Sequence, residues 1–105
     1  SDLAGATAKV LTTADAPLAF DTATITAAAG STITVEYTNE STIPHNIAFY
    51  AGADATAAKI AGSEIKAGPG DVQTLTFQVP SEPGDYHYQC DVHPAQMFGT
   101  LKVTP

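Results

Sequence analysis

Four side chains in this sequence could share one chemical task. Cys90, His93 and Met97 fall in the stretch Cys90-Asp91-Val92-His93-Pro94-Ala95-Gln96-Met97, and a second imidazole stands upstream in Ile43-Pro44-His45-Asn46-Ile47. Together they offer one thiolate, two imidazole nitrogens and one thioether. Two histidines and a cysteine in a trigonal set, with a long axial methionine, suit a copper ion that exchanges single electrons. The thiolate stabilises both Cu(I) and Cu(II), whereas a thioether is a poor ligand for zinc or hard cations. There is a single cysteine, so an intrachain disulfide and a zinc site built from several thiolates are both excluded.

Taken singly, each residue has a plainer reading. A buried cysteine packs as a small hydrophobe, a methionine fills core space, and a histidine beside proline is a turn residue. Their convergence in one turn-rich loop, with Pro44-His45-Asn46 upstream, is what favours a metal. A Cys–His nucleophile is another use of the same atoms, but it leaves Met97 without a role and supplies no group to orient the histidine. The His-x-His pairs of a trinuclear copper cluster are absent, as is the second thiolate of a dinuclear centre.

Such donors must be positioned by rigid elements, and the sequence reads as strands. Ile33, Val35 and Tyr37 alternate with threonine and glutamate; Leu75, Phe77 and Val79 alternate with Thr74, Thr76 and Gln78; Tyr86, Tyr88 and Cys90 alternate with His87 and Gln89. Period two marks half-buried strands, and the abundance of threonine, valine and isoleucine fits pleated surfaces. Turn signals punctuate the runs at Ala29-Gly30-Ser31, Asn39-Glu40-Ser41, Ala67-Gly68-Pro69-Gly70-Asp71 and Pro80-Ser81-Glu82-Pro83-Gly84-Asp85. The expected strands lie near 7–12, 22–28, 31–39, 44–50, 73–80, 84–90 and 98–104, which argues an all-β, two-sheet sandwich. Alanine-rich 53–61, with Asp54 as an N-cap, is expected to form one short surface helix. Cys90 shares the inward parity of Tyr86 and Tyr88; His87 has the opposite parity and is expected to face solvent.

With 105 residues, 44% hydrophobic, the chain is expected to form a single domain over 1–105. Eleven acidic residues against four lysines give a net charge of −7, the wrong sign for binding nucleic acid or an anionic membrane surface. The acidity is read equally as complementary to a basic partner surface or as serving solubility alone. No apolar run approaches the ~20 residues of a transmembrane helix.

At these residues the sequence resembles the small blue copper proteins, the cupredoxins, and most closely their plastocyanin-like branch. The resemblance runs from about Leu18 to Val103. Pro44-His45-Asn46 is similar to the first-histidine motif, Gly84-Asp85-Tyr86-His87-Tyr88-Gln89-Cys90 to the Gly-x-Tyr-x-(Phe/Tyr)-x-Cys strand, and Cys90-x-x-His93 with Met97-Phe98-Gly99 to the ligand loop. The resemblance implies a Greek-key β-sandwich with one type 1 copper ion, bound by His45, Cys90 and His93 with Met97 axial. It implies that the Asn46 backbone amide bonds the Cys90 sulfur, and that His93 is the electron's exit. Leu18, Pro44, Pro94 and Phe98, with Ala95, would form an apolar docking patch. It further implies a monomer that meets a cytochrome or another redox protein, without a small-molecule substrate. The setting would be extracytoplasmic (periplasm, cell surface or thylakoid lumen), with the protein soluble or tethered by a removed N-terminal segment. Two departures stand out: three residues separate His93 from Met97, where plastocyanins typically have four and amicyanins two; and Gln89 occupies the position of the exposed tyrosine that plastocyanins often carry.

Two other functions remain compatible with the residues alone. One is a copper carrier or store without a redox relay, against which the single methionine argues. The other is a metal-free sandwich serving adhesion or assembly.

Overall fold

Threonine and branched apolar residues alternate along the strands, and that alternation builds two sheets with one buried face each. The computed structural model describes residues 7–12 and 15–105. Eight strands follow in chain order: β1 Thr7–Thr12, β2 Thr24–Ala28, β3 Thr32–Asn39, β4 Ala48–Tyr50, β5 Lys59–Gly62, β6 Asp71–Gln78, β7 Gly84–Gln89 and β8 Phe98–Thr104. One sheet has the order β1-β3-β6 and the other β2-β8-β7-β4-β5. β1 runs parallel to β3 and β2 parallel to β8, while the other pairs are antiparallel. The chain therefore crosses between sheets repeatedly, as the expected Greek-key sandwich requires.

Between the sheets, Val10, Ile33, Val35, Tyr37 and Phe77 meet Ile25, Ala27, Phe49, Tyr88, Leu101 and Val103, all buried. Aromatic rings tie the layers together. Phe49 lies 4.8 Å from Phe77 and 5.2 Å from Tyr88, centroid to centroid. Phe20 packs edge-on to Tyr37 at 5.6 Å and against Tyr88 at 5.7 Å. Such contacts add to the burial of each ring. Tyr37 keeps its hydroxyl satisfied by Thr12 Oγ1 at 2.7 Å, and burial, only partly opposed by that bond, pushes the phenol up to about 12.

Two expectations change. The described residues contain no helix. Asp54 does cap, but it caps a turn: its Oδ1 accepts the Thr56 N–H at 3.0 Å. The alanine run is too short to offset the cost of helix nucleation, and its end is captured by the sheet, because Lys59–Gly62 pairs with β4. The strand expected over 44–50 shrinks to Ala48–Tyr50. Residues 44–47 instead form a loop, anchored by a two-way backbone pair in which His45 and Lys66 each donate to the other's carbonyl at 3.1 Å.

β3 and β7 both end at the same edge of the sandwich, and the connections 39–48, 62–71 and 89–98 gather there. Gly99 supports that edge: a Cβ there would stand 2.4 Å from the Tyr88 ring and hydroxyl and 2.8 Å from the Ala23 carbonyl. Only a glycine leaves room for the Tyr88 ring against β8.

Candidate metal centre

Each candidate donor is delivered by a differently secured backbone. His45 is held by its pairing with Lys66. That pair is braced by buried Asn39, whose Nδ2 donates to the Ile43 and Lys66 carbonyls at 3.0 Å each. Cys90 follows the last residue of β7, and its side chain keeps the inward parity of the strand. From there the chain turns back on itself. The Cys90 N–H donates to the Met97 carbonyl at 2.9 Å, the Met97 N–H to the His93 carbonyl at 2.9 Å, and the His93 N–H to the Cys90 carbonyl at 3.2 Å. Three residues between His93 and Met97 are enough to close this pair of turns.

The result is a convergence on one sulfur. Cys90 Sγ lies 3.8 Å from His45 Nδ1 and 3.8 Å from His93 Nδ1. The three donor atoms all fall within 4.8 Å of one another. His45, Cys90 and Met97 have no solvent exposure, and His93 is half-buried. The two imidazole rings are 5.0 Å apart and inclined by 64°. Burial, and then the neighbouring His93, push His45 below the usual histidine range, with Asp15 acting weakly the other way. That shift favours the neutral imidazole, the form that binds metal.

These residues fit a copper ion. With the thiol and both Nδ1 atoms unprotonated, three lone-pair donors face one point, the arrangement that would hold a cation. Two imidazoles and a thiolate, with a thioether in the same loop, would hold copper, which would supply a one-electron couple there.

Asn46 contributes through its side chain: Oδ1 accepts the Asp91 N–H at 2.8 Å, and Nδ2 reaches Asp91 Oδ2 at 3.2 Å. Asp91 also receives the Tyr50 hydroxyl, the Gln89 amide at 3.0 Å and the Lys59 ammonium at 2.8 Å. Burial alone would raise the Asp91 carboxyl, but these four hydrogen bonds hold it well below the usual range. The sequence reading missed this cluster. Asp91 is conspicuous beside Cys90, but its partners lie up to 45 positions away, and no local pattern joins them.

Of the expected docking residues, Pro44 and Pro94 are exposed and Leu18 is half-buried. Phe98 is 55% exposed but pairs with Gln89 on the outer face of the larger sheet and stacks on His87 at 6.3 Å. It is thus a shoulder of the site. His87 faces outward as expected, half-buried among Phe98, Tyr50 and Gln89. Val92, 43% exposed, and Ile65, 52% exposed, are apolar surface residues that the sequence reading did not single out.

Comparisons with known proteins agree with this geometry. Residues 7–104 match the family model of copper binding proteins, plastocyanin/azurin family. Auracyanin from the photosynthetic bacterium Roseiflexus castenholzii, in a dithionite-reduced crystal structure, superposes with a TM-score of 0.82 at 30% identity, covering 97% of this chain and 99% of that one. Auracyanin A, a "blue" copper protein of Chloroflexus aurantiacus, gives 0.80 at 26% identity over 93% of this chain and 98% of that one. A purple cupredoxin from Nitrosopumilus maritimus shares the fold at 0.60 and 22% identity over 92% of this chain and 99% of that one. Comparison with curated protein sequences gave no match. With a buried thiol flanked by two imidazole nitrogens and copper as its cofactor, the chain belongs to the copper-binding proteins of the plastocyanin/azurin family, the blue copper carriers of single electrons.

Proposed function

We propose that His45 Nδ1, Cys90 Sγ and His93 Nδ1 are the three strong ligands of one copper ion. Met97 is the weak axial ligand, and electrons pass to and from larger redox proteins at the His93 end. The convergence of two imidazole nitrogens on one thiol at 3.8 Å carries this reading. When bound, the copper supplies a one-electron Cu(II)/Cu(I) couple. The chain's part is to keep the donors still. The Cys90–Met97 and His45–Lys66 backbone bonds hold both donor segments on a packed sandwich, so little reorganisation is needed between the two redox states.

His93 is the ligand nearest solvent, and Leu18, Pro44 and Pro94 would surround it as the apolar contact, with Phe98 at the shoulder. The connections at this end, 12–24 among them, carry Asp15, Asp21, Glu40, Glu64, Asp71 and Asp91 against Lys66. That balance supports a partner with a basic surface, a brief complex and a small contact, below about 1,200 Å². We place the protein outside the cytosol, as a monomer and a carrier without a substrate. A multicopper oxidase shares the fold at 20% identity, but the match covers 39% of that chain. This sequence has three histidines and none of the His-x-His pairs that a trinuclear cluster uses. Full burial of His45, Cys90 and Met97 opposes ready metal release and so disfavours a delivery role.

The test is direct. Cu(II) added to the apo-protein should give an intense blue thiolate-to-copper band that Cys90→Ala abolishes and His87→Ala keeps. Mixing with a reduced, basic cytochrome should bleach the band, more slowly as salt rises. A colourless wild-type mixture overturns the ligand assignment; a blue protein whose bleaching ignores salt overturns the basic partner.

A further inference from the structure

We propose that Lys59 and Asp91 form a charge-balanced clamp that sets the reduction potential of the copper site; this rests on the ligand assignment above. Asp91 follows Cys90 directly. Its Oδ2 accepts from Lys59 Nζ at 2.8 Å and Asn46 Nδ2 at 3.2 Å, and its Oδ1 from Tyr50 Oη at 2.5 Å and Gln89 Nε2 at 3.0 Å. The donors come from β4, β5, the end of β7 and the segment after His45, so one carboxylate ties the larger sheet to both ligand segments. Lys59 Nζ also sits 5.7 Å from the Tyr50 ring centroid. The Asp91 side chain is 21% exposed and that of Lys59 46%.

Accepting four donors takes both oxygens of a carboxylate, because an amide offers only one, and the acceptor therefore brings a charge with it. A carboxylate one residue from a thiolate adds negative charge where negative charge already is, and Lys59 cancels it. The oxidised site carries one more positive charge than the reduced site. Unbalanced negative charge nearby therefore favours the oxidised state, and unbalanced positive charge the reduced state. Lys59 and Asp91 are positioning residues whose charges act on the couple with opposite signs.

The test uses the copper-loaded full chain at low ionic strength, where the Debye length is about 30 Å. The potential and the blue band are recorded for wild type, Lys59→Met, Lys59→Arg and Asp91→Asn. Lys59→Met should shift the Cu(II)/Cu(I) equilibrium about three- to tenfold toward Cu(II), and Asp91→Asn by a similar factor toward Cu(I). Lys59→Arg should restore the wild-type value, and all four proteins should stay blue. Shifts of the same sign, or an unmoved potential in Lys59→Met, would overturn the clamp. Should Asp91→Asn fail to fold, the Lys59→Met and Lys59→Arg pair decides alone, because Lys59 lies at an exposed position. A colourless wild type removes the copper reading and the clamp with it, whereas blue proteins with equal potentials remove only the clamp.

Discussion

Asn46 Oδ1 accepts the backbone N–H of Asp91 at 2.8 Å, joining residues 45 positions apart. One of these residues follows His45 and the other follows Cys90, so a single bond fixes the spacing of the two ligand segments. Asn46→Ala would leave the Asp91 N–H without its acceptor in a site that is 2% exposed at Asn46. The expected cost is about 1–3 kcal/mol, with copper affinity weakened roughly 10- to 100-fold. Urea midpoints of the apo-protein and chelator competition of the loaded protein measure the two effects separately. Lost stability with unchanged affinity would show that this bond holds the fold and not the spacing of the ligands.

Met97 is fully buried, at the close of the ligand loop. Met97→Leu conserves volume, so folding should lose less than about 1.5 kcal/mol. The copper should remain bound and blue, because the thiolate and both imidazoles are untouched. Losing a sulfur donor disfavours the more highly charged state, so the reduction potential should rise. A variant that no longer binds copper would mean that the thioether is a strong ligand, and the trigonal description would fail.

Gly99 has ordinary backbone angles, yet it has no room for a side chain. The added Cβ of Gly99→Ala would overlap the Tyr88 ring and hydroxyl at 2.4 Å, and Tyr88 is pinned from beyond by its bond to the Thr22 carbonyl. Overpacking of this kind costs about 1–3 kcal/mol or more. Removing the opposing ring should recover part of it: Gly99→Ala should cost less in a Tyr88→Leu background than in the wild type. Equal costs in both backgrounds, read from urea midpoints, would place the strain elsewhere.

What the sequence made legible was whatever repeats or clusters locally. Period-two alternation located seven strands because inward residues such as Ile33, Val35 and Tyr37 carry the core. The proposed ligand set stood out because three of its members share one loop and the fourth sits in a compact Pro-His-Asn motif. β5 was not readable: Lys59-Ile60-Ala61-Gly62 has helix-compatible alanine before it, and only pairing with β4 makes it a strand. The Asp91 cluster was illegible for a related reason, since Tyr50, Lys59 and Asn46 meet it only after the sheets assemble.

Asp15 links loop geometry to pH. Its carboxylate receives the Thr42 hydroxyl at 2.7 Å, the Ser41 hydroxyl at 2.8 Å and the Thr42 N–H at 2.7 Å, which fastens the segment leading into His45. The Thr42 hydroxyl first, then Ser41 and the Thr42 amide, hold Asp15 below the usual carboxylate value despite a small opposing effect of burial. The folded state thus keeps Asp15 ionised more firmly than the unfolded chain does. Its stabilising contribution is complete at neutral pH and fades as pH falls below about 5, through the unfolded value of ~3.9 and on to the depressed folded one. Asp15→Asn cannot accept all three donors and should be less stable than wild type at pH 7. In the apo-protein, the difference in urea midpoint between the two should narrow between pH 7 and pH 3. A difference that stays constant over that range would mean that the three donors do not depend on the carboxylate's charge.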